Sequence, residues 1–307
     1  MLAAFPADAQ PTPEGGLFVL LPIGARTTGQ GEAVVASQLG SEAVWWNPAG
    51  LARAEKREIS IHHAQTIFAT GDAITLVVPS EVLGVAALSV HILDFGDLER
   101  TIGPGGSLGE IIPRGIVYAA TYGTTLGSRV SAGLSYKVLQ FRVDCRGDCG
   151  ELPPAASTSA LDFGLQFELA PAAPVALGFA VRNIGLDFQV NDEEQADPLP
   201  TRVQAGALWR VSRLVGLGPR MALDVAGDVV NSIELSSPSA RVGAAFAVDS
   251  TFHLRAGYSF ENTENAGPAI GIGIAVRSVR MDLARIFESF STQAGQSPTF
   301  ISLRYLF

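Results

Sequence analysis

The chain has 307 residues, of which 47% are hydrophobic and only 17% charged, and it carries a formal net charge of −9. Soluble domains carry about 25% charged residues, so this composition points to surroundings that tolerate apolar surface. No Lys/Arg-rich run occurs, which excludes nucleic acid as a partner, because phosphate binding needs clustered cations. The longest apolar block, Leu17 to Ile23, falls far short of the roughly 18 residues a membrane-spanning helix requires. A membrane form of this chain must therefore be a closed barrel, the other architecture that satisfies every backbone polar group in lipid.

The first residues, "MLAAFPADAQ", place Ala7-Asp8-Ala9 before Gln10 in the manner of a signal-peptidase site. The charged and hydrophobic regions that normally precede such a site are nearly absent, so residues 1–10 read as the remnant of an export signal. Residues 11–56 do not alternate; they are rich in Gly and Ala, with short helical pieces. Within them, Asn47 is a favoured helix cap, and Pro48 suits a first helical turn while pushing Asn47 out of the α region. The "NPAGLAR" stretch, including Ala49 and Gly50, therefore predicts one short capped helix, with Trp45 and Trp46 anchoring the turn before it. Those tryptophans either line a path for a hydrophobic ligand or pack against neighbouring structure, since aromatics bury large areas wherever they fall.

From residue 57 to 307 the dominant signal is a period of two. Leu161, Phe163, Leu165, Phe167 and Leu169 share one face of their segment, opposite Asp162, Gly164, Gln166 and Glu168. Phe252 to Phe260, Val130 to Val138 and Val203 to Val211 repeat the pattern. Fourteen such segments are expected, near 57–68, 73–79, 83–93, 115–125, 129–143, 157–169, 174–184, 202–212, 219–229, 239–248, 251–260, 266–277, 279–286 and 299–307. Short connections such as "TLGS" and "VDS" are interleaved with long ones at 94–114, 144–156, 185–201 and 287–298. Short turns on one rim and long loops on the other mark outer-membrane barrels, whose apolar face meets lipid and whose polar face lines the lumen. The expected fold class is all-β: a transmembrane antiparallel barrel of about fourteen strands. Charges of alternating sign on the polar face, among them Asp162, Glu168, Arg202, Asp282 and Arg304, form a polar conduit or pair with one another, as buried charges must.

Cys145 and Cys149 in "CRGDC" lie in an expected outer loop, and two cysteines four residues apart in an exported protein predict a local disulfide. They make a poor zinc site. The intervening Arg-Gly-Asp is a short match of a kind that arises by chance. The acidic stretch Asn191 to Asp197 reads either as a solvated loop or as a place for divalent cations beside lipopolysaccharide. His62, His63, His91 and His253 form no motif, and no nucleophile elbow or phosphate loop appears. No enzyme, catalytic residue, metal or cofactor is therefore expected. The competing enzymatic reading, an outer-membrane hydrolase using His253 and a serine, has no spacing to support it.

The segments "GARTTGQGEAVVA" and "EAVWWNPAGLA" resemble the N-terminal signature of the PorV/PorQ family, within the long-chain fatty-acid transporter (FadL-like) superfamily of outer-membrane barrels. "GFAVRNIG" and "LPTRVQAGALW" resemble the mid-barrel spacing of PorV-type chains, and "TTGQGE" is less hydrophobic than the family's usual segment. The terminal "FISLRYLF" resembles the signal such proteins present to the barrel assembly machinery. The resemblance implies an N-terminal plug or hatch at 11–56 inside a barrel at 57–307, in the bacterial outer membrane. It implies one of two functions: transport of a hydrophobic small molecule, or escort of secreted protein cargo in type IX secretion. Trp45, Trp46, Asn47, Pro48, Ala49 and Gly50 are the candidate plug and ligand residues, with the helix start at Asn47 offering N–H groups to a carboxylate.

Overall fold

The computed structural model describes residues 14–101, 106–150, 155–169, 174–189, 196–212, 217–233, 238–260, 267–287 and 295–307. The expected signal remnant at 1–10 and most of the acidic stretch, 191–195, lie outside the described residues. The strands are β1 (Glu58–Gln65), β2 (Thr70–Ser80), β3 (Gly84–Asp94), β4 (Leu98–Thr101) and β5 (Ser107–Leu126). There follow β6 (Val130–Gly147), β7 (Ala156–Glu168), β8 (Val175–Gly185), β9 (Arg202–Arg210) and β10 (Met221–Ser232). The last are β11 (Pro238–Val248), β12 (Phe252–Phe260), β13 (Gly267–Val276), β14 (Val279–Ile286) and β15 (Thr299–Leu306). All except β4 form one closed antiparallel barrel of fourteen strands, in which β3 pairs directly with β5 and β1 pairs with β15. The ring is sealed at its ends by Arg57 and Phe307, which exchange backbone hydrogen bonds of 3.1 and 2.9 Å.

Each of the fourteen expected segments is a strand, and the faces fall as the alternation requires. Phe163 and Leu165 are 47% and 50% exposed on the outside, whereas Asp162 between Leu161 and Phe163 is fully buried inside. The apolar parity faces lipid and the small or polar parity faces the lumen. The structure differs from the sequence reading at 94–114 and 144–156, which were expected to be loops. Here β5 and β6 run on beyond the wall, pairing Gly109 with Gly147 and Ile112 with Asp144, and β4 adds to the edge of β5 through Leu98 and Ile111. Hydrophobic alternation ends where lipid ends, but backbone pairing needs no lipid, so this three-stranded arm leaves little trace in the pattern.

Residues 14–57 fill the lumen. Their helical pieces are single turns: the helices α1 (Ala25–Gly29) and α2 (Ala43–Trp46), and 3-10 turns at Leu17–Leu20, Gly40–Glu42 and Pro48–Leu51. Elements this short leave most of their backbone groups without internal partners, and buried groups must find others. The barrel wall supplies many of them. Asp228 of β10 accepts from Val34 N and Val35 N at 2.7 and 2.9 Å, and Ser302 of β15 accepts from Ala25 N at 2.8 Å. Gln166 of β7 donates to the carbonyls of Val35 and Ser37.

Asn47 is extended (φ −153°) and its Oδ1 caps the turn through Ala49 N at 3.0 Å, with Pro48 next in line. The expected helix is one 3-10 turn, because the chain must double back within the lumen. Two wall glycines make room for it. A Cβ on Gly133 would lie 2.2 Å from the Pro48 carbonyl carbon, and one on Gly164 only 1.9 Å from Asn47 Oδ1. The plug backbone therefore rests directly on the backbone of β6 and β7.

Candidate functional site

Above the plug, at the long-loop end, the lumen opens into a cavity of about 410 Å³. Its roof is the strap around Leu17, Leu20 and Leu21 together with the Thr66–Phe68 turn between β1 and β2; its floor is Thr28, Gly31, Glu32 and Trp46. One wall is apolar, with Ala269, Ile286 and Phe300 from β13, β14 and β15. The opposite wall carries three guanidinium groups, Arg182 of β8, Arg202 of β9 and Arg241 of β11. Apolar walls beside convergent polar groups are the make-up of a small-molecule site, here with a larger polar share than usual, and the volume falls at the small end of such sites.

The strap is held at both sides. Phe18 packs among Phe141 and Phe188, with ring centroids 6.4 and 6.0 Å away. Glu14 takes a two-pronged pair from Arg202 at 2.7 and 2.8 Å, and Ser232 donates to the same carboxylate at 2.5 Å. Arg241 pairs with Glu32 of the plug at 2.9 Å.

Arg182 is different. It is 8% exposed, its Nη1 donates to Trp45 O at 2.9 Å, and its guanidinium lies over the Trp46 ring at 5.2 Å. Nη2 reaches Gln204 Oε1 only at 3.5 Å, and Nε has no partner.

Below the cavity the lumen charges are paired. Lys137 meets Asp162 at 2.5 Å, and Asp282 bridges Arg255 and Arg304 at 2.7 Å each. Arg210 and Glu168 pair at 2.7 Å near the short-turn rim. In the plug, burial lowers the Arg26 guanidinium to about 10, with repulsion from Arg304 and Arg255 adding to the effect. Burial likewise pushes the Glu42 carboxyl up, against the pull of Arg304 and Arg26.

The six plug residues singled out from the sequence separate in space. Trp46 forms part of the cavity floor, and its Nε1 donates to Ile23 O at 2.9 Å. Trp45 turns the other way, edge-on to His91 of β3 at 5.6 Å and within the apolar core. Asn47, Pro48, Ala49 and Gly50 are buried against the wall and do not line the cavity. The N–H groups of the turn are used locally, by Asn47 Oδ1 for Ala49 and by Asn47 O for Gly50 at 2.9 Å. They are spent on the turn itself, which leaves the Asn47 end without the open donors a carboxylate would need.

Cys145 and Cys149 form a disulfide on the outer arm and are not among the cavity-lining residues, with Arg146 and Asp148 exposed between them. His62 contacts only the hydroxyls of Ser302 and Ser60, at 2.8 and 3.1 Å, and His253 lies 3.3 Å from Ser250 O. The sequence reading passed over Arg182, Arg241, Glu14 and Glu32. The signal for Arg182 was its parity: it shares the inward face of β8 with Ala176, Gly178 and Ala180, a lone charge in a row of small residues.

A closed barrel with an apolar outer face and an internal plug defines an integral protein of the bacterial outer membrane. No family model matches the chain, and no curated protein matches it. Among solved structures it is similar to the CymD monoaromatic hydrocarbon channel, with a TM-score of 0.60 and 14% identity, across 94% of this chain and 98% of that one. It is similar to the toluene transporter TodX of Pseudomonas putida, with a TM-score of 0.61 and 12% identity, across 91% of this chain and 96% of that one. A FadL homologue of Pseudomonas aeruginosa gives a TM-score of 0.54 at 11% identity, across 94% and 98%. At such identities the likeness is one of fold alone, and no comparison shows the PorV/PorQ family.

Proposed function

We propose that the protein carries a hydrophobic small molecule across the outer membrane. The observation that carries this reading is the cavity above the plug: it lies inside the barrel, faces the long-loop end, and joins the apolar strap around Leu17, Leu20 and Leu21 to the apolar wall of Ala269, Ile286 and Phe300. A general pore for hydrophilic solutes has no use for such a lining, and a plug fixed to the wall by backbone contacts leaves no wide aqueous channel. The fold it shares with hydrocarbon channels and a FadL homologue supports the same reading. The escort of secreted cargo, which the PorV/PorQ resemblance also implies, has no observation of its own in the barrel.

The test is uptake in cells expressing the protein, using a labelled neutral monoaromatic alcohol and the matching acid, against a variant in which Ala269→Trp fills the cavity. Uptake of at least one probe should exceed that of cells without the protein and fall to background in the variant at equal barrel levels. Equal uptake by the variant and the parent would overturn the proposal.

A further inference from the structure

We propose that Arg182 is the anion-binding residue of the cavity, and that the preferred solute is a compact amphipathic monocarboxylate rather than a neutral hydrocarbon. This rests on the function proposed above and names the solute class for the same site.

The argument is one of charge pairing. Of the three guanidinium groups on the polar wall, two meet carboxylates: Arg202 meets Glu14 and Arg241 meets Glu32. Among the described residues, Arg182 forms no ion pair, although it is more than nine-tenths buried. The acids whose charge reaches it, Asp162 and Glu32, are engaged elsewhere, Glu32 with Arg241 at 2.9 Å. Asp162 holds Lys137 and also accepts from Asn183 N at 2.8 Å. Asp228 accepts from Val34 N, Val35 N and Gln204 Nε2, and it is linked to Arg182 only through that glutamine.

A buried charge without a counter-charge is costly, and a partner that supplies one recovers much of that cost. A planar guanidinium is also suited to a carboxylate's two oxygens. Its placement fixes the rest of the solute. Arg182 is held over Trp46 on the cavity floor, and the facing wall is Ala269, Ile286 and Phe300. A head group at Arg182 would direct its apolar part towards that wall. The volume of about 410 Å³ suits a small acid.

The test compares binding of 4-phenylbutyrate and 4-phenylbutan-1-ol, which share a skeleton, to purified protein in detergent by tryptophan fluorescence and calorimetry. The parent protein should bind the acid at least tenfold more tightly than the alcohol. Arg182→Gln should weaken acid binding at least tenfold and so remove that preference, and Arg182→Lys should restore part of it. Heat-modifiable migration confirms that each variant remains a closed barrel. Equal binding of acid and alcohol by the parent protein, or an unchanged preference in Arg182→Gln, overturns the assignment of Arg182 and leaves the transport reading standing. Binding of neither probe overturns both.

Discussion

The inner wall of the barrel has two unlike regions, and the plug answers each differently. On β2, β3 and β5 the inward residues carry no ionised carboxylate or guanidinium group: apolar Ala73 and Val77, Val85 and Ala87, Val117 and Ala119 alternate with neutral polar ones such as Thr75, Ser89 and Thr121. The apolar ones meet Leu39, Val44, Trp45 and Leu51 of the plug in one dry core. From β9 to β15 charged and polar inward residues are interspersed with glycine, alanine and a few larger apolar side chains, and the plug is held there by hydrogen bonds and ion pairs, from Asp228, Arg241 and Ser302. The first contact is fixed by shape and the second by charge complementarity. The cavity lies towards the second region, where polar groups face an incompletely filled space. The core side fills the lumen, and the charged side borders the cavity.

Removing Asp282 is the strongest way to break this division, because it leaves Arg255 and Arg304 buried together without their shared partner. Asp282→Ala should cost about 3–5 kcal/mol, the usual loss when one partner of a buried pair is deleted, measured by urea unfolding in detergent. A loss below 1 kcal/mol would mean that the charged side does not hold the barrel. On the core side, Leu51→Ala should cost about 2–5 kcal/mol through the cavity it leaves, and the same assay ranks the two regions.

Gly164→Ala probes the close approach itself. Forcing a Cβ against Asn47 Oδ1 should cost about 1–3 kcal/mol by overpacking and make the plug protease-sensitive. Gly227→Ala, where the nearest atoms lie at 3.9 Å or more, should be silent. Asn47→Ala should cost about 1 kcal/mol for the lost cap, seen as a lower urea midpoint. The smallest effect belongs to the exposed pair at the short-turn rim, where Arg220 holds the Asp249 carboxyl below its usual range. Asp249→Asn should leave unfolding unchanged at neutral pH; a clear shift would show that rim pairs matter as much as lumen pairs.

The contrast also explains which features could be read from the sequence. Alternation exposes any strand with unlike faces, so β7 and β12 declare both their existence and their orientation. It says less on β2 and β3, where Ile74 and Leu76 face lipid while Ala73 and Val77 face the plug, so apolar residues fall on both faces. The outer arm escaped because it lies beyond the lipid that imposes the pattern. Asn47 and Pro48 announced a capped turn, since capping is local chemistry. That the turn would be pressed against Gly133 and Gly164 depends on residues about ninety or more positions away, which spacing does not encode. The pairing of Arg202 with Glu14, and the lack of a pair at Arg182, are likewise products of closure.

Ser302 on β15 joins three parts of the molecule at one oxygen: it accepts from Ala25 N of the plug and contacts His62 of β1, both at 2.8 Å. The seam between β1 and β15 is the join that turns the sheet into a ring. A hydroxyl that touches both sides of the seam and the enclosed segment makes the closure of the ring and the seating of its contents share one contact, so the strand that completes the hoop also grips what the hoop encloses.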